Sequence, residues 1–351
     1  MINILTNKYK RFILYLEITF ILLLLPLAYN FMPINDGAKT FYIPTSNIND
    51  ISRTLKTNGY EVTWIDKKML TLKKIPERGW YSVDPKRQGR FSFFLNLHTQ
   101  KTKSLMGIII YAGETKTEIT KRLANDMKLN QEKLLSNYNS LARFEEADIL
   151  ARRYTIARSA DENATINYLF FESQRLLKEF EKEYFLTAPD IDKLKTIFTI
   201  ASIIQKESNS IQEMPLISSV IYNRLEKDMR LQMDGTLNYG KFAHTIITPE
   251  RIKSDTSYYN TYKHKGLPPH PLSSVTLDAL KASIKPAKST YLFFMLTPRG
   301  THDFSETYKE HLEKITIFRK YQEQKEKKKE AENNKTNSFG IGFKAFDKFR
   351  L

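Results

Sequence analysis

From Ile18 to Asn35 the chain carries no charge, and Lys8, Lys10 and Arg11 stand just before that stretch. Phe12-Ile-Leu-Tyr-Leu-Glu17 leads into Ile-Thr-Phe-Ile-Leu-Leu-Leu-Leu-Pro-Leu-Ala-Tyr29, with Glu17 near the basic edge. A bilayer crossing needs roughly 20 largely apolar residues, and this run supplies them. The competing explanation is a cleaved signal, but no Ala-x-Ala-like site follows the apolar core. The segment therefore reads as a retained single-pass anchor over about Phe12 to Met32, in a cell inner membrane, with its basic end cytoplasmic. The remainder is expected to be periplasmic or otherwise extracytoplasmic.

The rest of the composition excludes more than it selects. A chain of 351 residues with 41 % hydrophobic content has room for two or three domains. With no Cys, disulfides, thiolate nucleophiles and Cys-based metal sites are ruled out. The six His show no His-Glu-x-x-His spacing. There is neither a Gly-x-Ser-x-Gly elbow nor a Gly-rich phosphate cradle, so no metal and no cofactor are expected. A net charge of +16 suits an acidic partner such as nucleic acid, anionic lipid or a carboxylate-bearing polymer. The Lys and Arg are scattered, however, and a general basic bias explains them as well. No nucleic-acid partner is expected.

Periodicity predicts an α+β chain behind the transmembrane helix, divided at 1–36 (anchor), 37–106, 107–160, 161–188, 189–319 and 320–351. In the first small α+β part, Phe41–Pro44 reads as a strand and Ile48–Lys56 as a helix closed by Asn58-Gly59. Next, Gly107–Tyr111 reads as a strand, Ala112–Thr115 as a turn, Glu118–Met127 and Gln131–Tyr138 as helices, and Ile149–Ile156 as a closing strand. This strand–helix–helix–strand order with its Gly-Glu-Thr turn resembles the LysM module, which grips N-acetylglucosamine polymers. A generic small unit without ligand is the alternative. Asn163–Phe185 is an amphipathic connector helix with Ile166, Leu169, Phe170, Leu176, Leu177, Phe180 and Tyr184 on one stripe. Pro189 closes it. Residues 320–351 are charged and repetitive, which predicts a solvated helix tip and a disordered tail.

The chemistry concentrates between residues 189 and 319. Ile197-Phe-Thr-Ile-Ala-Ser-Ile-Ile204 is an apolar helical run that ends in Gln205-Lys206-Glu207. Ile203 and Ile204 stand four and three residues before Glu207, so all three share a face. A carboxyl on such a face is either a costly accident or a group whose pKa is meant to rise. A carboxylic acid that stays protonated near neutral pH suits cleavage of a glycosidic bond. Beyond it, Arg230, Gln232 and Asp234 alternate as along a strand, which would put them on one face with Thr236 close by. Asn223 is placed either to orient Glu207 or to pack helices. Tyr259, Asn260 and Tyr262 mix rings with hydrogen-bonding groups, as sugar binding requires, and His302 is a further candidate contact.

Read together, Ala201–Ser208, Ile221-Tyr-Asn-Arg-Leu225, Met229–Gly240, Tyr259-Asn-Thr-Tyr262, Gly266-Leu-Pro-Pro269, Lys285-Pro-Ala-Lys288 and Gly300-Thr-His-Asp-Phe304 resemble the catalytic domain of the MltG (YceG-like) family of membrane-anchored endolytic murein transglycosylases. The chain departs from that pattern at Gln205, where the family has Glu, and at Gly235, where it has Pro. The resemblance implies cleavage of the MurNAc–GlcNAc β-1,4 bond inside peptidoglycan strands, with 1,6-anhydro-MurNAc ends. It assigns Glu207 as acid and then base, and it suggests cell-wall synthesis proteins as partners. Two alternatives remain: a hydrolytic muramidase with Asp234 as second carboxylate, and a non-catalytic wall-binding scaffold.

Overall fold

The computed structural model describes residues 2–85, 88–324 and 327. Residues 325–326 and 328–351, on which most of the expected tail falls, lie outside the described residues, as do Lys86 and Arg87. The chain is mixed α+β but mostly helical, and among the described residues the strands form three antiparallel two-stranded sheets. It divides into two compact units. One holds Met1–Ile110, Glu118–Leu141 and Arg153–Leu177; the other holds Tyr111–Thr117, Ala142–Arg152 and the chain from Lys178 onward.

The first unit begins with α1 (Ile2–Phe31), whose Lys8–Phe31 stretch is long and apolar enough to cross a membrane. Its apolar side chains, from Phe12 to Leu27, are exposed. Beyond it, β1 (Thr40–Ile43) pairs with β2 (Gly79–Ser82), with Phe41 opposite Tyr81. Helices α2 (Ile48–Thr57), α3 (Trp64–Leu72) and α4 (Arg90–Asn96) pack over this hairpin. Phe41, Ile43, Ile51, Leu55, Tyr60, Leu70, Tyr81, Phe93 and Phe94 are the centre of its core, each almost wholly enclosed. Burying a side chain of this kind contributes roughly 1.5–3 kcal/mol. Asn47 caps α2, Gly59 at φ +88 ends it in the left-handed region that glycine tolerates, and a Thr63–Asp66 capping box starts α3.

The same unit carries β3 (Leu105–Ile109) paired with β4 (Arg153–Ala157), together with α5 (Lys116–Met127), α6 (Gln131–Leu141) and most of α7 (Glu162–Tyr184). The strand expected over 149–156 starts only at Arg153. Ile149 and Leu150 are apolar because they are buried in a loop, where Ala147 turns at φ +75. Trp80 donates its indole N–H to Thr155 O at 3.1 Å and joins the two sheets. The strand–helix–helix–strand segment is thus shared. Its regular elements lie almost wholly in the first unit, while its connecting loops, 111–117 and 142–152, belong to the second.

The second unit is built on α8 (Ile191–Glu207), started by Asp190, whose carboxylate accepts from Lys193 N at 2.8 Å. Around it stand α9 (Met214–Glu226), α10 (Pro249–Ser254) and α11 (Leu277–Ile284). Its sheet is a hairpin of β5 (Phe293–Leu296) and β6 (His302–Ser305), followed by a helical segment over 308–324.

Candidate active site

From Leu194 to Ile204 the residues of α8 are almost continuously buried, and Ile203 and Ile204 are fully enclosed. The helix stops at Glu207 because Ser208 turns to extended backbone. Glu207 is half-buried there, and its Oε1 accepts a hydrogen bond from Gly235 N at 2.7 Å. Burial pushes its carboxyl up to about 7; the Gly235 bond and the charge of Arg224 pull it down, and Asp234 adds to the rise. Close to neutral pH the group is divided between acid and carboxylate. That is the condition for giving a proton and later taking one.

The loop that carries Gly235 must come very close to make this bond. A Cβ at Gly235 would lie 2.8 Å from Glu207 Oε1 and 2.8 Å from Lys206 Cβ, so a side chain there would force the acid to move. Next to it, Asp234 is exposed and accepts from the Tyr262 hydroxyl at 2.7 Å. Burial and the Asp234 bond raise the Tyr262 pKa, which keeps the phenol a donor. Arg224 is buried behind the site and donates to Leu292 O at 2.6 Å and to Leu231 O.

The other sequence candidates separate into two groups. Arg230, Gln232 and Asp234 are exposed while Leu231 and Met233 are buried, yet the backbone is no strand. Gln232 sits at φ +49, and Asp234 opens a 3-10 turn, Asp234–Leu237. Thr236 and Asn260 are fully buried and serve the loops themselves. Thr236 Oγ1 donates to Met233 O and meets Thr261 Oγ1 at 2.9 Å, and Asn260 Nδ2 donates to Ile252 O and Asp255 O. Asn223 Nδ2 donates to Ser289 O and Tyr291 O, both at 2.9 Å, and so fixes the approach to β5. His302 Nδ1 lies 3.0 Å from Glu213 Oε2, and its backbone N–H donates to Glu213 Oε1 at 2.7 Å, in an enclosed pair. Tyr259 stacks on Tyr239 at 4.1 Å and 9°; burial and then Glu145 push its phenol up to about 12.

Sequence reading gave Gly235 only as a departure from the family pattern and singled out neither Arg224, Tyr239 nor Glu213. Lys206, the neighbour of Glu207, donates to Gly113 O at 3.3 Å, and Gly113 N donates to Ser274 O at 2.9 Å. The Gly-Glu-Thr turn thus lies against the end of α8. Glu146, in the second loop, accepts from Lys116 N at 2.6 Å, and burial pushes its carboxyl up to about 8. Only the Gly-Glu-Thr motif hinted at these loops.

A family model described as the YceG-like family matches residues 41–317. An endolytic murein transglycosylase of Bacillus subtilis is 36 % identical over 115 residues, which are 33 % of this chain and 32 % of that protein. One of Streptococcus pneumoniae is 36 % identical over 143 residues, 39 % of this chain and 26 % of that protein. The chain thus spans about a third or less of the length of these curated relatives. Among solved structures, a yceG-like protein from Listeria monocytogenes aligns with a TM-score of 0.48 and 26 % identity, over 78 % of this chain and 97 % of the other.

Proposed function

Because the chain belongs to the YceG-like family, we propose that it is a membrane-anchored endolytic lytic transglycosylase acting on peptidoglycan. The observation that carries this reading is a single half-buried carboxyl, Glu207, raised to about 7 and held by one backbone N–H. In this reading protonated Glu207 gives its proton to the bridging oxygen. The bond from that oxygen to the anomeric carbon of MurNAc breaks, and the GlcNAc leaves with a free 4-hydroxyl. The acetamido group of MurNAc shelters the cationic carbon. Glu207, now a carboxylate, takes the proton of the C6 hydroxyl as O6 closes onto that carbon. No water is consumed, and Glu207 ends protonated again.

Asp234 with Tyr262, the exposed Arg230 and Gln232, and the Tyr239–Tyr259 stack would hold the sugars and their stem groups. The loops at Gly113 and Glu146 would extend the sugar-binding surface without taking part in the chemistry. The α1 helix would anchor the protein with its basic end inside and the chain that follows it outside.

The test is mass spectrometry of fragments released from purified sacculi in heavy-oxygen water. The expected product is one water lighter than a reducing end and carries no label. Labelled reducing MurNAc ends would make the protein a muramidase and bring Asp234 forward as second carboxylate. Failure to release fragments, with sacculus binding intact, would make it a scaffold.

A further inference from the structure

The end of α1 is not a loose tether. The Tyr29 hydroxyl donates to Asp66 Oδ1 at 2.5 Å, and Arg90 donates to both Asp66 oxygens at 2.9 and 2.6 Å. Arg90 also reaches Pro33 O at 2.8 Å and Glu61 O at 3.2 Å. Asn30 Oδ1 accepts from Phe91 N at 3.2 Å. Asp66 and Arg90 are 0 % and 1 % exposed. The last turn of α1 is therefore fastened to the first turns of α3 and α4.

What α3 and α4 show to solvent is unusual for a surface in water. Trp64 is 74 % exposed and Leu72 62 %, and with Lys68 they stand at i, i+4 and i+8 on one stripe of α3. Phe91 is exposed on the first turn of α4. Lys67 and Lys73 flank the stripe; their amines reach the neutral amide oxygens of Asn49 and Asn96, and among the described residues neither joins an ion pair. An indole with lysines around it that meet only neutral partners matches a headgroup layer, where the ring is half-desolvated and the amines meet phosphates.

We propose that α3 and the start of α4 lie on an anionic lipid surface, with Trp64 and Phe91 seated among the headgroups and Lys67, Lys68 and Lys73 facing lipid phosphates. This rests on the reading of α1 as a membrane span, whose exit it shares. The unit then has a fixed face to the bilayer as well as a fixed attachment.

The chain has two Trp, and Trp80 is buried, so Trp64 reports the surface. The full chain is reconstituted into vesicles of phosphatidylcholine, with or without phosphatidylglycerol, carrying bromine near the headgroup. The Trp64 signal is the difference between the wild type and Trp64→Phe. In phosphatidylglycerol vesicles it should be blue-shifted and lose about half its intensity or more to bromine. Lys67→Glu, Lys68→Glu and Lys73→Glu together should shift the docked-to-undocked ratio by about 10²-fold, an effect that shrinks in high salt. Emission that is unquenched and identical in both lipids, in vesicles from which alkali does not extract the chain, would overturn the proposal and leave the span intact. Extraction of the chain by alkali would overturn the span, and the proposal with it.

Discussion

Asp66 in the first unit and Glu207 in the second are both carboxyls withdrawn from water, yet they titrate in opposite directions. Burial raises each. At Asp66 it is outweighed by two bonds from Arg90, one from Tyr29 and those of Thr63 N and Oγ1, so the carboxyl stays below its ordinary value. At Glu207 the bond from Gly235 N does not outweigh burial, and the carboxyl rises. The same contrast recurs within the second unit. Glu213, served by two donors of His302, is lowered although burial opposes it, whereas Glu146, served by Lys116 N, is raised to about 8. Donors oppose burial at each of these carboxyls, and the balance decides: Asp148 accepts from Phe144 N, Arg143 N and Arg143 Nε, yet burial still raises it.

The sharpest way to break this contrast is Glu207→Gln. The proposed acid is lost, so release of fragments from sacculi should fall at least about 10²-fold. Stability should move the other way. Ionisation of Glu207 costs stability from its ordinary value of 4.5 upward, in full above a folded value of about 7. The amide should therefore stabilise by up to about 3 kcal/mol near pH 8 and by nothing near pH 4, in denaturant melts at each pH. For the wild type, activity should fall as pH rises through about 7. Unchanged activity, or a variant less stable at high pH, would remove Glu207 from the acid's role.

Asp66→Asn is next in size. It leaves Arg90 charged, buried and short of its partner, which should cost about 3–5 kcal/mol in a urea melt of the first unit. Replacing both partners by apolar residues of similar volume should restore most of that loss. Gly235→Ala comes third. The added Cβ displaces Glu207 while leaving its chemistry, so kcat should drop about 10-fold to 10²-fold. The smallest effect is expected at Glu213→Gln. Because Glu213 is lowered in the fold, its contribution is present above its ordinary 4.5 and fades as pH falls below that. The loss should be about 1–2 kcal/mol at neutral pH and vanish in acid, read as the difference between two melts.

What the sequence makes legible follows from range. The apolar run into Glu207 is local, and so are the Gly59 turn and the start of α3; one helix or one turn contains the whole pattern. The partner of Glu207 stands 28 residues away, and that of Asp66 24, and nothing in either neighbourhood announces it. Polar residue type was also ambiguous. Thr236, Asn223 and Asn260 have the side chains a sugar site uses, but they spend them on backbone carbonyls, Thr236 and Asn260 within their own loops and Asn223 on the approach to β5. Which way such a residue faces is fixed by the path of the chain, as the positive φ of Gln232 shows for a segment whose alternation suggested a strand.

The last turn of α8 makes three attachments in three consecutive positions. Gln205 Oε1 accepts from Thr276 N and Oγ1 at the start of α11, Lys206 Nζ reaches Gly113 O, and Glu207 meets Gly235 N. Successive helix positions are about 100° apart, so the turn behaves as a three-way indexed joint. Inserting or deleting one residue inside α8 would rotate all three attachments together and turn the acid toward a neighbour's socket. An extension before Asp190 would leave that indexing untouched. In this family member, drift in length should therefore be tolerated at the start of the helix and forbidden within it.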